Sequence, residues 1–320
     1  MKESKIDHSF KKRFVSKLTT NMFKILAGLA TLGFIPRALG VETYGDLGFL
    51  TVFFKKVVKL LKVGTSTAYF VKVSKDNSNK KIIGFYFYYI TFLSLMLFTG
   101  VLWGVNSSFK EIIFPGQQAI FIYAACLIAV LYLFLEFFNN TNDAIGSTVQ
   151  NEVRIIIVSL LNAAFITIMY FTNTITLGSV FILNSFIFLF LIYLSNRVLI
   201  RNDIIFFKYL SLTRDDIYKN LSDFYKFSNP LIVNGIIVFF AIIIDRWLLQ
   251  HYHGSVEQGY YTIAFQIAAI LMVFANSSSL LILREMSQKI INDNDSVKIK
   301  KTFIKYSPIF YFVAVFFSIF

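Results

Sequence analysis

Long apolar stretches alternate with short polar ones along the whole chain. Nine hydrophobic segments stand out, at about 14–35, 44–71, 82–104, 117–138, 154–171, 177–196, 224–250, 259–283 and 302–320. Each is close to the roughly 20 residues an α-helix needs to cross a hydrocarbon core of about 30 Å. The second and seventh are long enough to cross at a tilt. The pattern predicts an all-α polytopic membrane protein of about nine transmembrane helices.

Composition agrees with that reading. The chain is 56% hydrophobic and only 15% charged, against about 25% charged in soluble domains. Its net charge of +13 comes with no soluble basic domain, so nucleic acid is not an expected partner. The excess is instead placed by topology. With the N-terminus in the cytoplasm, 20 of the 31 lysines and arginines fall in the inner segments 1–13, 72–81, 139–154, 197–220 and 284–301. The outer segments 36–43, 105–116, 172–176 and 251–258 hold only Arg37 and Lys110. This is the asymmetry expected of a cytoplasmic-membrane protein, and it puts Trp103 and Trp247 near the outer interface. The first apolar run follows Lys11-Lys12-Arg13, is too long for a signal-peptide core, and reads as an uncleaved first span. Cys126, alone of its kind, leaves no internal disulfide framework.

The inner segment 197–220 is the longest polar connection and divides the chain. Residues 1–196 are expected to form an N-terminal six-helix lobe, 197–223 a cytoplasmic linker, and 224–320 a partial C-terminal lobe of three helices. A weak internal echo supports a duplication: Val41-Glu42-Thr43-Tyr44-Gly45 follows the first span, and Val256-Glu257-Gln258-Gly259-Tyr260 follows the seventh. If each repeat has six spans, the second is incomplete. Because Phe320 lies inside an apolar run, a truncated reading frame or fragment is expected.

Candidate chemistry concentrates in residues 35–64. A Pro/Gly hairpin there leads into an apolar segment carrying Lys55, Lys56, Lys59 and Lys62. A lysine at mid-bilayer costs roughly 2.5–3.5 kcal/mol, so four would cost on the order of 10 kcal/mol if left in lipid. At about 100° per residue, Lys55, Lys59 and Lys62 share a narrow arc, with Phe53, Val57, Leu60 and Leu61 opposite. Two placements relieve the cost. Either the lysines face a water-filled cavity that attracts an anion, or the span stops near Phe54 and the lysines snorkel to the interface. Against the second, residues 44–54 alone are too short to span.

Other charges pose the same choice between cavity and interface. Lys24 sits midway along the first span and Arg37 follows Pro36 at its outer end. Asp245 and Arg246 are adjacent near the outer end of the seventh span; neighbours in sequence do not face each other on a helix, so each needs its own partner. Pro230 marks either a hinge or a kink, and Glu136 is either a coupling carboxylate or a headgroup-level acid. The sequence contains no P-loop, zinc-ligand spacing or Ser/His/Asp set that can be placed. Neither enzymatic activity nor a cofactor or metal is expected.

The motifs resemble a known family. Gly40-Val41-Glu42-Thr43-Tyr44-Gly45 after a basic-led first span, Gly64-Thr65-Ser66-Thr67-Ala68-Tyr69 before a basic loop, and Ile244-Asp245-Arg246-Trp247 followed by Gly254, Glu257, Gly259 and Tyr260 resemble the polysaccharide transporters of the multidrug/oligosaccharidyl-lipid/polysaccharide superfamily, and within it the Wzx-type O-antigen flippases. The resemblance implies a MATE-like two-lobe bundle around a central cavity, alternating between inward-open and outward-open states. It implies translocation of undecaprenyl-pyrophosphate-linked oligosaccharides across the bacterial inner membrane for O-antigen (lipopolysaccharide) or capsule assembly. The expected partners are that lipid, membrane lipids and other polysaccharide-assembly proteins. Lys24, Arg37, Lys55, Lys59, Lys62, Asp245 and Arg246 are the candidate substrate-binding residues. The family has twelve or more spans, so about nine is a departure. Two alternatives remain. A drug or cation exporter of the same superfamily would need buried acids. A membrane glycan polymerase or ligase would need a large outer loop, and no outer segment exceeds about a dozen residues.

Overall fold

The computed structural model describes residues 10–75, 80–293 and 304. Among them every regular element is a helix: α1 (Phe10–Leu61), α2 (Thr65–Lys75), α3 (Lys81–Val105), the short α4 (Lys110–Ile113), α5 (Ala119–Ile145), α6 (Thr148–Phe171), α7 (Leu177–Arg201), a 3₁₀ turn at Phe206–Tyr209, and α8 (Arg214–Asp293). Six helices are long and apolar enough to cross a membrane. Bulky apolar side chains such as Phe92, Phe171 and Phe186 point outward and are more than half exposed. In water so much apolar surface would drive association; in lipid it costs nothing. The protein is a membrane-embedded helical bundle.

Two helices are too long to be single spans. The 52 residues of α1 would run about 78 Å if straight, at about 1.5 Å per residue. Instead α1 is two helices meeting at a kink at Gly40 (φ 76°, ψ 165°), and α8 two helices meeting at a kink at Gly254 (φ 77°, ψ −169°). Both glycines occupy a region of backbone space that side-chain-bearing residues essentially never adopt. The segments 36–43 and 251–258, expected to be connecting loops, are therefore helical on either side of a single glycine. The turn needs no loop because one residue without a Cβ supplies the whole change of direction.

Other boundaries also differ from expectation. The apolar segment 44–71 is broken at Lys62–Gly64, where α1 ends and α2 begins. Pro230 lies inside α8, whose only non-helical backbone angles are at Gly254. Within the expected linker 197–223, α8 begins at Arg214 and is tied to the bundle by Lys81 Nζ–Asp216 Oδ2 (2.8 Å) and Lys72 Nζ–Asp223 Oδ2 (2.6 Å). The expected ninth segment, 302–320, lies outside the described residues except for Ile304.

The core is built from one face each of α1, α2, α3 and α5. Phe49, Leu50, Phe54 and Val58 of α1 are fully buried, as are Tyr69, Ile83, Tyr86, Ile122, Cys126, Leu133 and Phe137. Tyr69 and Tyr86 stack at 4.2 Å between ring centroids, and the Tyr69 hydroxyl lies 2.6 Å from Thr141 Oγ1. In an apolar medium such a hydroxyl must find a partner within the protein. A polar seam meets the same requirement between α5, α6 and α7. There Asn151 Nδ2 donates to Asn139 Oδ1 (2.8 Å) and Ser195 Oγ to Asn151 Oδ1 (2.9 Å). The most extensive helix–helix packing among the described residues is between α1 and α8.

Candidate functional site

Where α1 and α8 diverge they enclose a cavity of about 880 Å³, completed by α2, α5 and α7. That volume is near the upper end of the range for small-ligand sites. Its charge is one-sided. Lys55, Lys56, Lys59, Lys62 and Arg246 line it, with Glu136 the one acid among the lining residues. Lys55, Lys56 and Lys59 have no ion-pair partner among the described residues.

The sequence-predicted residues divide cleanly. Lys55, Lys59, Lys62 and Arg246 come together in the cavity. Phe53, Val57 and Leu61, expected on the opposite face, pack against the core, whereas Leu60 lines the cavity. Lys24, Arg37 and Asp245 are exposed and lie outside the lining. Asp245 and Arg246 point to different surroundings, as their adjacency requires. The narrow-arc pattern missed Lys56. It lines the cavity beside the other three lysines.

Two of the cations are held in place. Lys62 Nζ forms an ion pair with Glu136 Oε2 and sits 5.4 Å from the centre of the Tyr132 ring. Tyr132 and Glu136 are one helical turn apart on α5, so both reach the same ammonium. Arg246 is 3% exposed. Its guanidinium lies 4.9 Å from the Tyr261 ring centre and 4.8 Å from that of Phe265, and Nη1 donates to Thr262 Oγ1 at 3.2 Å. Its Nη2 has no acceptor among the described residues. A buried cationic donor without a partner is costly, and an anion entering the cavity is what would satisfy it.

One end of the cavity is closed by backbone-to-backbone packing. A Cβ on Gly45 would overlap the Ser255 carbonyl oxygen, and one on Gly259 would overlap the Val41 carbonyl oxygen. Asp46 Oδ1 accepts from Gln117 Nε2 and from Ser255 Oγ, both at 2.6 Å, and the Tyr44 hydroxyl donates to Gln266 Oε1 at 2.8 Å. Trp247 Nε1 donates to the Ile112 carbonyl of α4 (2.7 Å). In the same short helix, hydrogen bonds from Lys110 and from the Gly116 N–H beyond it hold the Glu111 carboxyl below its ordinary range.

The fold has a counterpart among solved structures. A chain titled "protein A" superposes with a TM-score of 0.66 at 14% identity, over 89% of this chain and 66% of that one. The likeness concerns the fold alone, and this chain spans just under two thirds of its counterpart's length. No family model matches the sequence, and no curated protein matches it.

Proposed function

We propose that this protein is a flippase: it carries an oligosaccharide linked to undecaprenyl pyrophosphate across the bacterial cytoplasmic membrane, by alternating access of the cavity between α1 and α8. The observation that carries this reading is the sign of the cavity charge, five basic side chains against Glu136. A lipid pyrophosphate brings about two negative charges and a polar glycan to a hydrocarbon core. The lysines and Arg246 offset the cost of stripping water from those charges. The isoprenoid tail stays in lipid beside the gap.

The two-lobe arrangement belongs to the same reading. Gly40 and Gly254 turn their helices with nearly the same φ, and the glycine five residues after each makes the same kind of contact with the other helix. This reciprocity supports a duplicated unit with a pseudo-twofold axis between α1 and α8, and rocking of one half against the other as the route to alternating access. The distribution of lysine and arginine supports a cytoplasmic N-terminus. A cation exporter needs a cavity whose acids outnumber its bases, and the sign here is opposite.

The test is transport by the full chain in proteoliposomes containing a fluorescent oligosaccharide on undecaprenyl pyrophosphate, read as the fraction accessible to an external glycosidase. Time-dependent equilibration that slows when Lys55 and Lys59 are both replaced by Glu is the expected result. A rate equal to that of protein-free vesicles overturns the reading.

A further inference from the structure

The lone acid in a cationic cavity needs an explanation. Glu136 gives up part of the positive charge that would otherwise bind the substrate, because it pairs with Lys62. A purely structural pair would be sealed from the cavity, yet Lys62, Ser66, Tyr132 and Glu136 all line it. The Glu136 side chain is 25% exposed and that of Lys62 11%. Beyond Lys62, the carboxylate has the Tyr132 hydroxyl and Ser66 beside it. Ser66 Oγ reaches Oε1 at 3.5 Å and also receives the Asn140 amide at 3.2 Å. The ammonium faces the Tyr132 ring as well, a contact that does not need the carboxylate. Of the pair, Glu136 is the member more exposed to the cavity.

We propose that Glu136 is an internal counter-ion that stands in for the substrate anion: it neutralises Lys62 in the empty cavity and is displaced when an anionic headgroup arrives. This rests on the anion-carrying reading of the cavity. The exchange replaces one carboxylate–ammonium pair by one phosphate–ammonium pair, so little charge is desolvated or exposed on entry. Affinity is held down by the same competition. That suits a transporter, whose site must be favourable enough to fill and weak enough to empty. The freed carboxylate remains beside the bound anion and repels it, which speeds release. Glu136 is therefore a residue that sets affinity and turnover in opposite directions.

The experiment measures binding of inorganic pyrophosphate to the purified full chain in nanodiscs by calorimetry at fixed pH. The proteins are wild type, Glu136→Gln, Glu136→Ala, Lys62→Gln, Lys62→Gln/Glu136→Gln and Lys55→Gln/Lys59→Gln. Removing the competitor is expected to tighten binding roughly three- to tenfold in either Glu136 variant. The gain should vanish in the Lys62→Gln background, because the pair is already broken there. The same Glu136 variants should transport more slowly at saturating substrate despite the tighter binding. An equal gain with and without Lys62 overturns the proposal, because the carboxylate then acts only through the general field. Unchanged binding in both Glu136 variants, alongside weaker binding in Lys55→Gln/Lys59→Gln, overturns the counter-ion role while leaving the anionic cavity intact. If wild type binds no pyrophosphate and Lys55→Gln/Lys59→Gln is indistinguishable from it, both readings fall.

Discussion

Gly45 of α1 and Gly259 of α8 are mirror partners in one contact: each lies against the backbone of the other's helix, Gly45 at Ser255 and Gly259 at Val41. The offset is the same in both directions. Ser255 follows the turn at Gly254 as Val41 follows the turn at Gly40. A third contact, Gly48 against Thr262, extends the seam by one helical turn on each side. Small residues here let two helices touch without side chains between them, the main attraction available to helices in lipid.

Substitution at this seam should therefore cost more than glycine replacement elsewhere. Gly45→Ala and Gly259→Ala are each expected to lower stability by roughly 1–3 kcal/mol through overpacking. Gly28→Ala, in the same helix with open space around it, should be neutral or stabilising by up to about 1 kcal/mol. Thermal unfolding of the three variants in one detergent separates the seam from a general glycine effect. Equal midpoints for Gly28→Ala and Gly45→Ala would contradict the close approach.

Much of the fold was legible because lipid restricts the options to helices of near-fixed length. The apolar segments 82–104, 117–138, 154–171 and 177–196 correspond to α3, α5, α6 and α7. The turns were less legible. Gly40 and Gly254 resemble other loop glycines in the sequence, and nothing local says that one residue suffices to kink the helix. Within the site, Lys55, Lys59 and Lys62 could be found because unsolvated charge in an apolar run demands an explanation. Arg246 could be found on the same ground. Tyr44, Asp46 and Gln266 could not, since each acts through a partner more than 70 residues away. Lys24 and Arg37 carry the same signal in the sequence, and the structure leaves both exposed and outside the cavity lining.

Arg246 should trade stability for binding. Its Nη2 is buried without an acceptor among the described residues, so Arg246→Met removes an uncompensated polar group and is expected to raise stability by about 1–3 kcal/mol. The same variant should weaken pyrophosphate binding severalfold. Arg246→Lys is expected to recover little of that binding, because an ammonium cannot lie flat between Tyr261 and Phe265 and still present a fork of donors. Melting temperature and calorimetric affinity measured on the same preparations check both directions. A Met variant that is less stable than wild type would mean that Arg246 is structural.

Asp46 should matter as an acceptor more than as a charge. One oxygen receives both the Gln117 amide and the Ser255 hydroxyl, and Gln117 is buried. Asp46→Ala leaves those two donors unpaired, at about 1–3 kcal/mol for each one that water does not reach. Asp46→Asn keeps a carbonyl oxygen in place and should lose less than half as much. Chemical or thermal unfolding of the pair tests this ordering, and equal losses would show that the charge itself holds the closed end.

The lysine face provides the decisive functional prediction. Lys55 and Lys59 line the cavity without acidic partners, while Lys62 is paired with Glu136. In the proposed function their role is electrostatic attraction of a mobile headgroup, for which a compact ammonium on a flexible stem is suited. Lys55→Ala or Lys59→Ala alone should reduce transport only partly, since Lys56 and the remaining neighbour still hold the field. Lys55→Glu with Lys59→Glu changes the local charge by four units and should abolish flipping. Lys55→Arg with Lys59→Arg preserves the charge and should retain most of it. The measurement is restoration of surface-glycan display in a flippase-deficient strain, with membrane insertion of each variant followed in parallel. A double Glu variant that inserts normally and restores glycan to wild-type levels would place these lysines among interfacial anchors. Loss of display in the double Arg variant as well would instead mean that the site reads the shape of the ammonium and not the field it makes.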